Sequence, residues 1–192
     1  MSSTKSVNSG VPQGSILGPL LFVLFINDMF SRVSDGTDIA LYADDTKIWR
    51  EIRSWNDHEI LDQDIANLLQ WSIENKMIFH PSKCKMLSVT MQKNVLDELP
   101  FNIYNYTLGN EWIDQVWSHK DLGLRVQYRL SWTPHINELL SRARSRLGLL
   151  IRTVDHLANW RQKRSFYLAI GRSIFDHCSI VWCTQYATHC SI

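Results

Sequence analysis

The sequence is poor in cysteine and has no long uninterrupted apolar run, and each shortage excludes a class of protein. Its four cysteines include no CxxC pair, which argues against a disulfide framework and favours reduced, intracellular thiols. The longest apolar stretch, residues 16–26, is interrupted by Gly18 and Pro19 and is too short to span a bilayer. The stretch before Gly10 has no apolar segment of the kind that a secretory signal needs. We therefore expect an intracellular chain without membrane contact.

Charge of either sign is not in excess either, but it is unevenly distributed. The 192 residues carry a net charge of +1, and 45% hydrophobic with 20% charged residues is a globular composition. Between Ser141 and Arg172 there is one acid, Asp155, and the basic residues are Arg142, Arg144, Arg146, Arg152, Arg161, Lys163, Arg164 and Arg172. A basic segment on an acidic body suits a partner with a phosphate backbone. On charge alone, a solvated helix face explains the pattern at least as well.

Helical spacing appears twice in the first part of the chain. The nearly continuous apolar run over residues 20–30 predicts a buried helix that ends near Asn27. A second helix is expected from a cap at Asn56 or Asp57 to about Asn75, since apolar residues recur there with acids and amides between them.

Strands are predicted around and between these helices. Residues 39–43 and 46–52 predict two antiparallel strands joined by a tight turn at Asp44 and Asp45. The remaining expected elements are a strand over 86–90, a hairpin around 108–110 and a strand over 121–126.

The pattern changes to helix after Ser131. Thr133 and Pro134 predict a helix start, and another helix is expected from about Trp160 to His177. We therefore expect a mixed part over residues 1–130 and an all-helical part over residues 131–192. The eight tryptophans are scattered, which predicts core positions rather than base-stacking platforms.

The adjacent carboxylates of Asp44 and Asp45, in the stretch Tyr-Ala-Asp-Asp, bear most directly on function. Two like charges this close destabilise each other unless a cation lies beside them. Mg²⁺ prefers oxygen ligands and keeps open positions for phosphates, and two-metal phosphoryl transfer needs carboxylates that hold the ions. The pair therefore indicates one half of a two-metal site, although Asp-Asp by itself is also ordinary turn chemistry.

The chain resembles the palm of a reverse transcriptase in two motifs, GVPQGSILGPLLFVLFIND and, further on, YADD. The resemblance is to the non-LTR (LINE-type, jockey-like) retrotransposon branch in particular. Three later segments are similar to that branch's helix-then-lysine segment, primer grip and thumb: LLQWSIENKMIFHPSKCKML, IYNYTLGNEWIDQVWSHKDLGLRV and LSWTPHINELLSRARSRLGLL. The implied fold class is α+β, a partial palm with an antiparallel sheet and packed helices, followed by an all-helical thumb.

The resemblance implies a role for each matching residue. Asp44 is expected to be the principal metal ligand, Asp45 its partner, and Lys83 the cation that neutralises or protonates the leaving pyrophosphate. Contacts with template and nucleotide are expected from Pro12, Gln13, Gly14, Tyr42 and Ala43, the primer grip from Leu122 and Gly123, and backbone contacts from Arg142, Arg144, Arg146 and Arg152. A surface lysine and a plain β-turn are the plainer interpretations of Lys83 and of the grip.

The implied cofactors and partners follow from the same family. Two Mg²⁺ ions, with Mn²⁺ as an alternative, would serve template-directed DNA synthesis. The partners would be an RNA template, a DNA primer and deoxynucleoside triphosphates. The compartment, nucleus or cytoplasm, is not encoded in any motif that the sequence contains.

The sequence also departs from the family. The first catalytic aspartate of the family lies on a strand upstream of GVPQGS, and the residues before Gly10 contain no acid. The chain is therefore expected to supply at most two of the three metal-binding carboxylates. His80 and Asp121 stand where the family usually has Asn and Tyr. Three interpretations stay open: a piece of a longer polymerase, a catalytically dead remnant that at most binds nucleic acid non-specifically, and an unrelated metal-binding or nuclease domain.

Overall fold

The computed structural model describes residues 14–90, 104–154 and 159–183. The chain divides into two compact units, Met1–Cys84 with Ile103–Asp114, and Lys85–Asn102 with Gln115–Ile192. Both contain helices and short paired strands, an arrangement that is compatible with the predicted α+β class. The division into palm and thumb at residues 130 and 131 stays a prediction.

Helices and two-stranded sheets alternate along the described chain. The α-helices are α1 (Leu17–Ile26), α2 (Trp55–Glu74), α3 (Thr133–Val154), α4 (Trp160–Phe166), α5 (Ser173–Asp176) and α6 (Ser179–Trp182), with 3₁₀ turns at Asn27–Arg32 and Pro81–Lys83 and a π-helical stretch at Tyr167–Arg172. The strands are β1 (Thr37–Tyr42), β2 (Asp45–Arg50), β3 (Lys85–Met86), β4 (Thr107–Leu108), β5 (Glu111–Trp112), β6 (Asp114–Gln115), β7 (Ser118–Asp121) and β8 (Leu124–Gln127). Among the described helices, none combines the length and apolarity needed to cross a membrane.

The core of the first unit forms around Trp71 of α2. Trp71, Met29, Ile26 and Leu68 are buried together, and partly buried side chains of α1, β1 and β2 pack against them. The indole Nε1–H of Trp71 donates to Oδ1 of Asp28 at 2.9 Å, so its one polar atom is satisfied inside the core. This cluster fixes the β1–β2 hairpin against the two helices.

The prediction of a buried first helix is wrong for most of α1. Only Gly18 and Ile26 of this helix are buried, and Leu24 is 65% exposed. A helix buries only the stripe that meets its neighbours, and a run that is apolar all round leaves its remaining faces exposed. The apolar composition predicted the helix correctly but not how much of it the first unit covers.

The start of α2 is displaced from the predicted cap, because Ser54 caps it and Asp57 lies inside the first turn. The N–H and hydroxyl of Ser54 each donate to Oδ2 of Asp57 at 2.9 Å, completing a capping box. Nε of Arg50 lies 3.2 Å from Oδ1 of Asp57, which ties the end of β2 to the helix. The bond from the Ser54 hydroxyl, followed by the backbone N–H of Arg53, lowers the pKa of Asp57 to about 2.

The second unit is built on α3 and the helical segment that follows it. Leu139 and Ala143 of α3 are buried with Ile174 of α5. The long helix predicted to follow α3 is present over residues 160–176, with a π-helical stretch in its centre. The strand predicted over 86–90 is confined to β3, and the one predicted over 121–126 is instead the turn and second strand of the β7–β8 hairpin.

The scatter of the tryptophans predicted core positions for them, and this prediction is wrong for several of the eight. Trp71 and Trp132 are buried, whereas the exposed ones are Trp49, Trp55, Trp112, Trp117 and Trp160. The exposed residues occupy short strands or their flanks and the first turns of helices. A short strand has one covered face at most, and residue type alone does not determine which face a side chain takes.

Replacing Trp71 tests the core of the first unit. We expect Trp71→Ala to lower the free energy of unfolding by about 3–5 kcal/mol, because it removes a buried ring and leaves a cavity. Trp112→Ala is the matched control, since this side chain is 67% exposed, and its effect should stay within about 0.5 kcal/mol. Urea denaturation followed by circular dichroism measures both. Equal losses for the two variants would contradict the assignment.

Candidate functional site

The β1–β2 hairpin carries the adjacent carboxylates, and its turn lies one residue earlier than predicted. Tyr42 pairs with Asp45 across the strands, so Ala43 and Asp44 form the two-residue turn and Asp45 begins β2. Ala43 has φ +51°, the left-handed conformation that the first position of a tight hairpin turn requires. The two short strand-forming runs predicted the hairpin, but they do not specify which residue accepts a positive φ.

The pairing register determines which face of the hairpin each residue takes. Opposed residues share a face, and the face with Ile39, Leu41 and Ile48 packs on the core. Tyr42 and Asp45 therefore lie together on the other face, where Tyr42 is 65% exposed. Tyr42 is one of the residues expected to contact template and nucleotide, and its exposure leaves the ring accessible to a ligand.

The two carboxylates are exposed side by side at the tip of the hairpin. Within the described parts of the chain, no hydrogen bond or ion pair occupies the side-chain carboxylate of Asp44 or Asp45. Like charges without a protein cation beside them are the donor chemistry that a hard divalent cation satisfies. The pair therefore fits Mg²⁺ by the type, charge and accessibility of its oxygens. Among the described residues, no third acid, histidine or cysteine joins it in a metal-binding group.

The loop before α1 contributes one described residue to the predicted template contact. Pro12 and Gln13 lie outside the described residues, and Gly14 is exposed with φ +81°. A side chain built on Gly14 would meet nothing within 4 Å, so the backbone conformation, not crowding within the chain, requires glycine there. The hydroxyl of Ser15 accepts from the N–H of Gly18 at 2.9 Å, which fixes the start of α1.

Lys83 lies at the end of the 3₁₀ turn Pro81–Lys83 in the first unit. Its backbone N–H donates to the carbonyl of His80 at 2.9 Å, and its side chain is exposed. No described acid forms an ion pair with its ammonium group, so the charge is accessible to an anionic ligand. In the part of the chain that the structure describes, Lys83 forms no hydrogen bond or ion pair with Asp44 or Asp45.

Leu122 and Gly123 form the turn of the β7–β8 hairpin in the second unit. Asp121 pairs with Leu124, and the two turn residues have φ +46° and +87°. Positive φ at both central positions is the type I′ combination, which fits the twist of a hairpin. The predicted tight bend is therefore present, and its contact with a primer stays a prediction.

The four arginines assigned to the nucleic-acid backbone are exposed on α3. They are Arg142, Arg144, Arg146 and Arg152, and no described acid pairs with any of them. Unpaired, exposed guanidinium groups are suited to phosphate. This is the property that a sequence-independent backbone contact needs.

The sequence analysis missed the residues that position the β7–β8 hairpin. Glu138 of α3 accepts from Nζ of Lys120 and Nε of Arg125, each at 3.0 Å, and these two bonds, Lys120 first, lower the pKa of Glu138. His135 is buried, and its Nδ1 accepts from the N–H of Arg125 at 3.3 Å. Burial lowers the pKa of His135. The sequence did mark Glu138, because it is the one acid in an otherwise basic α3.

Comparisons with known proteins agree with the motifs. The family model described as reverse transcriptase (RNA-dependent DNA polymerase) matches residues 2–146. The RNA-directed DNA polymerase from mobile element jockey is 26% identical in Drosophila funebris, over 76% of this chain, and 28% identical in Drosophila melanogaster, over 77%. The probable RNA-directed DNA polymerase from transposon X-element of Drosophila melanogaster is 27% identical over 77%.

These alignments cover only a part of each relative. The chain spans about 16% of the length of the curated relatives it matches. No solved structure matches the chain significantly. The resemblance inferred from the motifs is confirmed over residues 2–146, and the roles of the individual site residues stay predictions.

The buried imidazole of His135 predicts a pH dependence of stability. The pKa of His135 in the folded chain lies below the usual 6.5. Above pH 6.5 the imidazole is therefore mostly neutral in both the folded and the unfolded state. As the pH falls through 6.5, the unfolded state binds the proton first, and stability falls by at most about 1.4 kcal/mol per pH unit. Glu138, which opposes this shift, and Arg142, His177 and Lys120, which add to it, are the charged groups around the ring.

The measurement is urea denaturation at pH 7.5, 6.5 and 5.5 on the wild type and His135→Gln. Glutamine can still accept from Arg125 but does not titrate, so its stability should change less over this range. The matched control is His119→Gln, since His119 is exposed on β7 and should leave the wild-type slope unchanged. Identical slopes for His135→Gln and the wild type would contradict the assignment.

Proposed function

The chain belongs to the reverse transcriptase family, and from that premise we propose that it is part of an RNA-directed DNA polymerase of a non-LTR, jockey-like retrotransposon. The observation that carries the proposal is the family match over residues 2–146, which contains both the GVPQGS loop and the YADD hairpin. The relatives with the printed name RNA-directed DNA polymerase come from mobile elements. In the proposed polymerase, residues 1–130 form part of the palm and residues 131–192 belong to the thumb.

The proposed reaction is attack of a primer 3′-hydroxyl on the α-phosphate of a deoxynucleoside triphosphate, directed by an RNA template. Asp44 and Asp45 would hold Mg²⁺, or Mn²⁺ in its place, which when bound supplies Lewis-acid stabilisation of the entering and leaving oxygens. The exposure of both carboxylates and their lack of a described cationic partner support this assignment.

The other residues would bind and orient the substrates. Lys83 would neutralise or protonate the departing pyrophosphate, and its exposed ammonium group, which has no acidic partner among the described residues, supports that role. Gln13 and Gly14 would position template and nucleotide, and the turn at Leu122 and Gly123 would support the primer strand. An intracellular location, in nucleus or cytoplasm, is part of the proposal.

A second candidate function is binding of nucleic acid without catalysis. It is favoured by the four exposed arginines of α3, which have no described acidic partner and can contact phosphates without any metal. The two candidates make different predictions for the carboxylates. Catalysis requires Asp44, whereas backbone binding by the arginines does not.

Replacing Asp44 distinguishes the candidates. For a polymerase that contains this chain together with the family's first catalytic aspartate, we expect Mg²⁺-dependent extension of a DNA primer on an RNA template. Asp44→Asn should reduce it 10²- to 10³-fold, roughly the loss that follows when one electrostatic group of a preorganised site is removed. Asp38→Asn is the matched control, because Asp38 is exposed on the same hairpin and should extend like the wild type. Hybrid binding without any extension by the wild type would favour the second candidate instead.

Neutralising the arginines tests the backbone contact that both candidates share. We expect a variant with Gln at positions 142, 144, 146 and 152 to bind an RNA–DNA hybrid more weakly. Its dependence of log Kd on log salt should be shallower by about one unit per lost phosphate contact. Fluorescence anisotropy between 50 and 200 mM salt, roughly the range over which this term is large, measures the slope.

The control for that experiment is Arg53→Gln. Arg53 is an exposed arginine of the first unit that is ion-paired with Glu51 at 2.6 Å, so its replacement should leave the slope unchanged. An unchanged slope in the fourfold variant would contradict the assignment of α3 as a phosphate-binding surface.

A further inference from the structure

The turn of the β7–β8 hairpin holds a leucine in a backbone conformation that leucine disfavours. Leu122 has φ +46° and is 46% exposed. A Cβ in the left-handed region crowds the following carbonyl, so the usual residue at this position of a type I′ turn is asparagine, aspartate or glycine. A strained conformation persists only where surrounding contacts over-determine it. The contacts of this turn are therefore informative.

The first contact is a hydrogen bond from His177 to the turn. Nε2 of His177 lies 2.9 Å from the carbonyl oxygen of Leu122 and 3.4 Å from Sγ of Cys178. Because a carbonyl can only accept, the bond to Leu122 forms in the tautomer with the proton on Nε2. A Cβ on Gly123 would lie 3.1 Å from the same nitrogen, so glycine at 123 permits this close approach. The carbonyl of His177 in turn accepts from Nε1 of Trp182 at 3.1 Å, which fixes the backbone that carries the imidazole.

The second contact fixes the strands below the turn. Lys120 and Arg125 are directly opposed across the hairpin, an arrangement of like charges that destabilises a strand pair. Glu138 of α3 accepts from both, at 3.0 Å each, and so turns a repulsive pair into a clamp. The hairpin is thus held by α3 along its strands and by the residue after α5 at its turn.

We propose that His177 is a positioning residue of the nucleic-acid site, which fixes the turn at Leu122 and Gly123 for contact with the 3′ end of a primer. The inference rests on the proposed function, since it takes the turn as the primer contact. It adds a residue of the helical region that no motif assigns to the site. A preformed turn binds more tightly than one that must be ordered on binding, and this is the gain that His177 provides.

The test compares His177→Ala, His177→Gln and His119→Ala with the wild type. Glutamine can still donate a side-chain N–H to the Leu122 carbonyl, and His119 is an exposed histidine of the same hairpin. Anisotropy is measured with two RNA–DNA hybrids of equal length, one with a recessed primer 3′ end and one blunt. The exchange of the Leu122, Gly123 and Leu124 amides, followed by NMR, reports on the turn itself.

The expected result is a selective loss in His177→Ala. Its affinity for the recessed hybrid should fall about fivefold, the effect of one net hydrogen bond, while its affinity for the blunt hybrid stays unchanged. Amide exchange at the turn should accelerate, His177→Gln should regain most of the affinity, and His119→Ala should behave like the wild type.

The outcomes separate this inference from the proposed function. If the wild type binds the recessed hybrid and His177→Ala binds it equally well, the inference is overturned and the proposed function stands. Equal losses on both hybrids indicate a general structural role and also overturn the inference. If the wild type binds neither hybrid, the proposed function fails and the inference fails with it.

Discussion

Burial of the Trp71 indole is the constraint on which the first unit depends. The ring joins α2 to the end of α1 through Ile26, Met29 and the bond to Asp28. The inner face of the β1–β2 hairpin packs on the same cluster. Because that face is fixed, the opposite face and the turn are fixed as well, since neighbouring residues of a strand alternate between faces. The exposure of Asp44 and Asp45 is thus a consequence of packing several residues away from them.

Much of this arrangement was predictable from the pattern of residues. The short apolar runs on both sides of Asp44 and Asp45 predicted the hairpin, and helical periodicity predicted α2 and α3. The one-residue error in the turn has a physical cause, since the pattern cannot specify that Ala43 takes a positive φ. The extent of burial of α1 was not predictable either, because a uniformly apolar helix does not indicate which of its faces is covered.

The second unit shows a different limit of sequence analysis. The cross-strand pairing of Lys120 with Arg125 depends on the hairpin register, and the register depends on where the turn lies. The segment was predicted as one strand, so the opposed charges were not predictable. Glu138 is marked as the one acid of α3, but without the register its two partners could not be assigned. His177 is separated from the turn that it contacts by more than fifty residues. His177 is also exposed, so it does not belong to the apolar pattern that marks core residues in the sequence.

The two turns to which the proposed function gives a role both contain a residue with positive φ, and in both the supporting contacts lie outside the turn. Ala43 and Leu122 both take positive φ although each carries a Cβ, at a cost of roughly 1–2 kcal/mol per residue. Lys76 shows the same conformation at the end of α2, where it is ordinary helix termination. In the hairpins, the cost is offset by contacts outside the turn, the buried face of β1–β2 in one case and the bonds of Glu138 and His177 in the other. Each turn is therefore held in shape by its supporting residues, and such rigidity is what the proposed roles, holding a metal at one turn and a primer end at the other, would require.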